Sequence, residues 1–157
     1  MLRVKLPDGS IKEYSERVRA IDVAQSIGAG LAKATLAAEV DGKVAGYCYT
    51  SAYRARIGYR FVVEDSVYVL EEMQGRGIGR KLLMTLIEEC ATRGYRQMIA
   101  VIGDSANAGS IKLHEACGFA HVALFKGIGY KFGRWLDSVQ MQRALGEGSD
   151  TSPPAPK

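Results

Sequence analysis

In Gln74-Gly75-Arg76-Gly77-Ile78-Gly79-Arg80-Lys81, three glycines at alternate positions separate the apolar run Val67-Tyr68-Val69-Leu70 from a helical pattern. A turn of this kind leaves backbone N–H groups uncovered at a helix N-terminus, where about half a positive charge collects. That end suits a phosphate or pyrophosphate, and Arg76, Arg80 and Lys81 add cationic side chains beside it. A glycine-rich turn alone is a weak signal. Its value depends on the elements around it.

Those elements are readable from pattern. Tyr59 to Leu70 reads as the strand before the turn, and Gly77 to about Arg93 as the helix after it. In that helix Ile78, Leu82, Leu83, Leu86, Ile87 and Cys90 recur with a 3.6-residue period, and Gly94 closes it. Gln97 to Ile102 is an apolar strand. Gly103 to Asn107 form a loop that can cap a helix over Ala108 to Ala116, with Gly118 as its left-handed stop. Phe119 to Lys126 and Ser138 to Arg143 read as closing strands joined by a glycine- and aromatic-rich loop with Tyr130, Phe132 and Trp135. Upstream, Thr35 to Val40 and Val44 to Thr50 flank the turn Asp41-Gly42. Leu2 to Leu6 and Ile11 to Tyr14 flank Pro7-Asp8-Gly9-Ser10 as a β-hairpin, and Ala20 to Ile27 reads as a short helix. This order means an α+β fold with a mixed, mostly antiparallel central sheet flanked by helices, plus an atypical hairpin-and-helix N-terminus.

Composition narrows the classes. The chain has 157 residues, 47% of them apolar, enough for one cored domain. No run approaches the ~18 apolar residues of a membrane span, and no signal-peptide pattern precedes the first strand, so a cytoplasmic protein is expected. Cys48, Cys90 and Cys117 suit a reducing compartment and offer no metal-ligand spacing. The net charge of +4 is too dispersed for a nucleic-acid footprint. Gly146 to Lys157, rich in Gly, Ser and Pro, reads as a disordered tail.

From about Thr35 to Leu145, Gln74-x-x-Gly77-x-Gly79 and Asn107-x-x-Ser110-x-x-Leu113-His114-x-x-x-Gly118-Phe119 together resemble the GNAT superfamily of acyl-CoA N-acyltransferases. Tyr53-Arg54-Ala55-Arg56, Val63 to Val69, Val101 to Asn107 and Lys131 to Asp137 resemble its phosphinothricin and methionine sulfoximine N-acetyltransferases. The resemblance implies acetyl-CoA as donor and a small-molecule amine, such as an amino acid analogue, as acceptor. It implies that backbone groups of Gly75, Arg76, Gly77, Ile78, Gly79 and Arg80 cradle the pyrophosphate beside Gln74. It also implies that Val67, Tyr68 and Val69 pair with the pantetheine arm and polarise the thioester, and that Asn107 and Ser110 lie near the thiol arm. Glu64 matches the candidate general base, a role that needs burial to raise its pKa. His114 stands where many members carry a tyrosine proposed as general acid, and a purely structural hydrogen bond is its rival role. Tyr53, Arg54 and Arg56 would line the acceptor site, the arginines as a forked clamp for a carboxylate or phosphinate. Asp65 is expected on the face opposite Glu64, in solvent. Core packing is favoured over a pocket lid for Tyr130, Phe132 and Trp135, and Asn107 is equally well explained as a helix cap. A homodimer is common in the family, though no seam is readable here.

The first forty or so residues depart from the family. Leu6 to Tyr14, Ala20 to Ile27 and Gly30 to Ala34 resemble the start of a TGS domain, the β-grasp module of threonyl-tRNA synthetases. The chain thus divides into a TGS-like segment over 1–43, a GNAT core over 35–145 that shares the strand–turn–strand at 35–44, and the tail 146–157. Leu2, Val4, Leu6, Ile21, Val23 and Ile27 are expected to cover the sheet face left open by the exchange. The alternative activity is a domain that binds acetyl-CoA but lacks a complete acceptor pocket.

Overall fold

The computed structural model describes residues 2–5, 11–14, 35–40 and 42–153. β1 (Leu2–Lys5) and β2 (Ile11–Tyr14) form the expected antiparallel hairpin as a separate two-stranded sheet. The expected helix over 20–27 lies outside the described residues, as do the side chains expected to cover the sheet.

Six strands make the main sheet: β3 (Thr35–Val40), β4 (Lys43–Ala52), β5 (Val62–Val69), β6 (Gln97–Gly103), β7 (Ala120–Lys131) and β8 (Arg134–Ala144). Their order is β3-β4-β5-β6-β8-β7, and every neighbouring pair is antiparallel except β5–β6. The strand after the 53–61 loop starts later than its apolar content suggests, because Ile57–Tyr59 turn as a short 3-10 helix.

α1 (Ile78–Thr92) and α2 (Ala108–Ala116) pack on one face of this sheet. Leu82, Leu83, Leu86, Ile87 and Cys90 of α1 meet Cys48 of β4, Val63 of β5, Met98 and Ile102 of β6 and Met141 of β8 in a single core. Burying such side chains contributes roughly 1.5–3 kcal/mol each. Gly94 and Gly118 follow the two helices at positive φ (85° and 81°), as their helix-stop readings require.

Two segments differ from expectation. Gly127 to Asp137 is mostly strand: β7 and β8 form a long hairpin turned at Phe132 (φ 55°) and Gly133 (φ 73°). Tyr130, Phe132 and Trp135 ride this arm in solvent, at 64%, 82% and 66% exposure, and are not core residues. Tyr130 and Trp135 meet each other edge-on at 5.3 Å across the hairpin, outside the core cluster. The second segment is the start of the expected tail, where Gly146 to Pro153 form turns held by Arg96. Its Nη2 donates to Thr151 Oγ1 (2.9 Å) and the Ser152 carbonyl (3.3 Å), and its Nη1 donates to Glu147 Oε2 (3.3 Å). Composition does not register an anchor 55 residues away in sequence. Among the described residues, no helix is long and apolar enough to cross a membrane.

Candidate active site

The site begins with a break in the sheet. β5 and β6 pair in parallel from Val62↔Gln97 to Asp65↔Ala100 and no further. Beyond that point β5 stays with β4 as far as Val69↔Gly46, while β6 stays with β8 as far as Gly103↔Ser138. The two central strands therefore splay into a wedge with its vertex at Asp65. Along Ser66 to Val69 the inner edge of β5 has no strand partner among the described residues, so an extended ligand arm can add there as a strand would.

The glycine turn stands at the mouth of the wedge. A 3-10 turn over Glu71–Met73 leaves β5, and Gln74 ties the turn back through Nε2 to the Val69 carbonyl (3.4 Å). Gly75 (φ 74°) and Gly77 (φ 77°) adopt left-handed backbone, and a Cβ added at either meets nothing within 4 Å. They are required by conformation and leave the turn uncovered. Gly79 serves packing, since a Cβ there would lie 3.3 Å from Leu113 and 3.5 Å from Val69. The first backbone bond of α1 runs from Lys81 N–H to the Gly77 carbonyl (3.1 Å), and no side chain caps the helix. The N–H groups before Lys81 thus lack intrahelical acceptors. Arg76, Arg80 and Lys81 are exposed beside them.

Across the wedge, Asn107 Oδ1 accepts the Ser110 N–H (3.1 Å) and caps α2. The preceding loop is latched to the long hairpin. Asp137 accepts from Ser105 Oγ (2.9 Å), Lys126 Nζ (2.9 Å) and Gly127 N–H (3.0 Å), and Arg134 donates to Asp104. The Lys126 bond first, then the Gly127 and Ser105 bonds, hold the Asp137 carboxyl down at about 2. A depressed acid keeps its contribution above its unfolded pKa and loses it as pH falls through the folded value, so the latch persists down to strongly acid pH. Asp137→Ala should speed hydrogen exchange at the amides of Ser105 to Asn107 while the melting temperature moves by only a few degrees. Unchanged exchange there would mean the latch does not hold the loop.

Glu64 and Asp65 point to opposite faces of β5. Glu64 is half-buried on the face away from the helices, cross-strand from Ser51. Burial, and then the nearby Asp65 charge, push its carboxyl above the usual range. A cavity of about 470 Å³ opens at the start of β5, lined by Thr50, Arg54, Arg56, Tyr59, Arg60, Val63 and Tyr95 among others, and Glu64 is not part of its lining. Arg54 stacks over Tyr53 and Tyr59, 5.1 and 5.6 Å from the ring centroids, and Tyr53 meets Tyr59 edge-on. Arg60 and Tyr59 were not singled out by sequence, and spacing alone had no means of joining them to Arg54.

Asp65 corrects the sequence reading most sharply. It is not solvated: its side chain is 1% exposed and its Oδ2 lies 3.0 Å from His114 Nε2. His114, in the last turn of α2, is itself buried, with Nδ1 2.7 Å from the Ser110 carbonyl. Phe119 meets the imidazole edge-on at 5.0 Å. With both ring nitrogens engaged inside the protein, His114 has none left to aim at a ligand directly, as the proton-donor reading required. Parity held the signal: Asp65 shares its side of the strand with buried Val63 and with Val67 and Val69, which pack against the core.

A profile of the acetyltransferase (GNAT) family matches residues 9–119. The chain belongs to the GNAT acetyltransferase family. This GNAT chain is 52% identical over 118 residues to phosphinothricin N-acetyltransferase of Alcaligenes faecalis, across 75% of the chain and 60% of that relative. It is 46% identical over 112 residues to the L-methionine sulfoximine/L-methionine sulfone acetyltransferase of Salmonella typhimurium, across 71% of the chain and 65% of the relative. A solved GNAT phosphinothricin acetyltransferase from Sinorhizobium meliloti, in complex with AcCoA, superposes with a TM-score of 0.73 at 51% identity, covering 76% of this chain and 65% of that one. The chain thus spans 60–65% of the length of these relatives. A separate likeness, 62% identity over 42 residues, joins it to the threonine–tRNA ligase of Stenotrophomonas maltophilia across 7% of that protein. This is the synthetase resemblance expected from the sequence.

Proposed function

We propose that this GNAT protein transfers the acetyl group of acetyl-CoA directly to the primary amine of a small amino acid or analogue of the methionine sulfoximine or phosphinothricin type. The observation that carries the reading is the wedge: an unpaired strand edge runs from an uncovered helix N-terminus to the neighbourhood of a half-buried carboxylate of raised pKa. The residues fit the donor. Backbone groups of Gly75 to Arg80 would hold the pyrophosphate with Arg76 and Arg80 beside it, and Val67, Tyr68 and Val69 would pair with the pantetheine arm. Bound there, acetyl-CoA supplies an acyl group already activated as a thioester.

The chain's own residues do the rest. Backbone N–H groups of β5 polarise the acyl carbonyl, a fixed-dipole effect worth roughly 3–4 kcal/mol per good donor. Glu64, directly or through water, takes the proton the amine must lose. Arg54 and Arg56 hold the acceptor's acidic group, with Tyr53 supporting Arg54 by its ring. Asn107 and Ser110 border the thiol end from α2. The three buried free cysteines suit work in a reducing cytoplasm. Exposed Val122, Leu124 and Ile128 on edge strand β7 offer a surface through which a second copy would pair, as sedimentation at rising concentration would report.

Thiol release from acetyl-CoA over a panel of amines, with the melting shift on CoA as binding control, tests the reading. CoA binding without transfer to any amine would overturn it. Arg56→Ala should raise the acceptor KM about tenfold with kcat little changed, the signature of lost ground-state binding. An unaltered KM would place the acidic group elsewhere.

A further inference from the structure

The pair formed by Asp65 and His114 is used by no step above, yet it occupies the vertex of the wedge. Three observations define it. The Ser110 carbonyl has no proton to give, so His114 Nδ1, 2.7 Å away, carries one. The 3.0 Å approach of Nε2 to Asp65 Oδ2 needs a second proton between them. Finally, Asp65 Oδ1 is buried with no hydrogen-bond partner among the described residues, so His114 is the carboxylate's sole polar contact there. A lone buried carboxylate is costly, and a shared proton keeps the pair neutral overall.

The other titratable groups facing Asp65 cannot supply that proton's charge. Cys48 from β4, Cys90 from α1 and Cys117 after α2 all have thiols pushed up, chiefly by burial, and stay neutral. Glu64 lies on the opposite face of β5, and Arg80 and Arg143 act on Cys117. Position supplies the function. The glycine turn follows one end of the free β5 edge and Asp65 closes the other, and the edge from Asp65 to Val69 is about 13 Å long at the rise of a strand. A donor held by its pyrophosphate at the turn, with its arm along this edge, would have its thioester near the vertex.

We infer that Asp65 is a positioning residue of the transfer site: it holds His114 as a doubly protonated, fixed imidazolium at the vertex of the β5–β6 wedge, where negative charge develops on the departing sulfur. The inference rests on the acetyl-transfer reading above. A dipole already oriented stabilises that charge without reorganising. Burial pulls the imidazole toward its neutral form, but the Asp65 bond and charge and the Ser110 carbonyl outweigh it, and the net shift is upward.

The chain has only two histidines, so His121→Gln, which alters an exposed side chain paired with Glu115, leaves a single imidazole for nitrogen NMR. At pH 7.5 both nitrogens of His114 should be protonated, and Asp65→Asn in the same background should give a neutral ring. Asp65→Asn should also lower kcat at least tenfold, move the basic limb of the kcat profile to lower pH, and leave the acetyl-CoA Kd within twofold. A neutral His114 at pH 7.5 in the Asp65 protein overturns the inference. So does an Asp65→Asn protein with unchanged kcat and pH profile, or one whose loss lies wholly in Kd. Should Asp65→Asn not fold, the NMR of the His121→Gln protein decides alone. A protein that shows the imidazolium but acetylates no amine would sink the transfer reading and leave the pair standing.

Discussion

Glu64→Gln should lower kcat/KM for the acceptor amine by about a hundredfold, the usual size of a general-base contribution. The acetyl-CoA Kd should not change, because Glu64 lies on the face of β5 away from the helices and beyond the vertex from the glycine turn. The same residue predicts the acid limb of the pH profile. A base acts only when ionised, and burial followed by the Asp65 charge raises the Glu64 pKa, so activity should rise with pH above the ordinary glutamate range. Stability should move the other way. Between its unfolded and folded pKa values Glu64 binds more protons in the folded state, so stability falls as pH rises through that window. Glu64→Gln removes this penalty and should melt no lower than the wild type at neutral pH. Loss of turnover would then report chemistry and not unfolding. Wild-type turnover in Glu64→Gln would take the base role from this residue.

Gly77→Ala should weaken acetyl-CoA binding tenfold or more, about 1.4 kcal/mol, by calorimetry. Gly77 sits at φ 77°, where an L side chain costs roughly 1–2 kcal/mol. The added methyl would meet open space, so packing gives no reason for a loss. The backbone of an alanine can relax only by turning the peptide groups on either side, and these aim the N–H groups at the phosphates. Gly79→Ala makes the contrast: its Cβ would press on Leu113 and Val69, so its effect should fall on the melting temperature first. If Gly77→Ala bound acetyl-CoA as the wild type does, the turn would not be the pyrophosphate cradle.

Signals confined to neighbouring residues were legible in the chain. The 3.6-residue run from Ile78 to Cys90, the span of α2 with Asn107 as its cap and Gly118 as its stop, and the glycine turn all appear where pattern placed them. Each depends on backbone preference or on one amphipathic face, which a short stretch of sequence encodes by itself. Glu64 and Asp65 mark the boundary of that method. Alternation put them on opposite faces of one strand, but which face is wet depends on helices that arrive later in the chain. The β7–β8 arm failed for a related reason: its glycines and aromatics look like a loop until the cross-strand partners of β8 are known.

What the sequence determined by itself is therefore local: a glycine-rich turn that opens a helix, a carboxylate on the strand before it, and a membership in the GNAT family carried by two motifs. The tertiary structure alone decided how those parts become a site. The splay of β5 from β6 after Asp65↔Ala100 is a property of register between strands, and no residue in either strand announces it. The Asp65–His114 contact joins residues 49 apart, made only because α2 packs over the vertex. Local order follows from each residue's own torsions and periodicity, whereas an open edge and a buried Asp65–His114 contact exist only once distant segments come together.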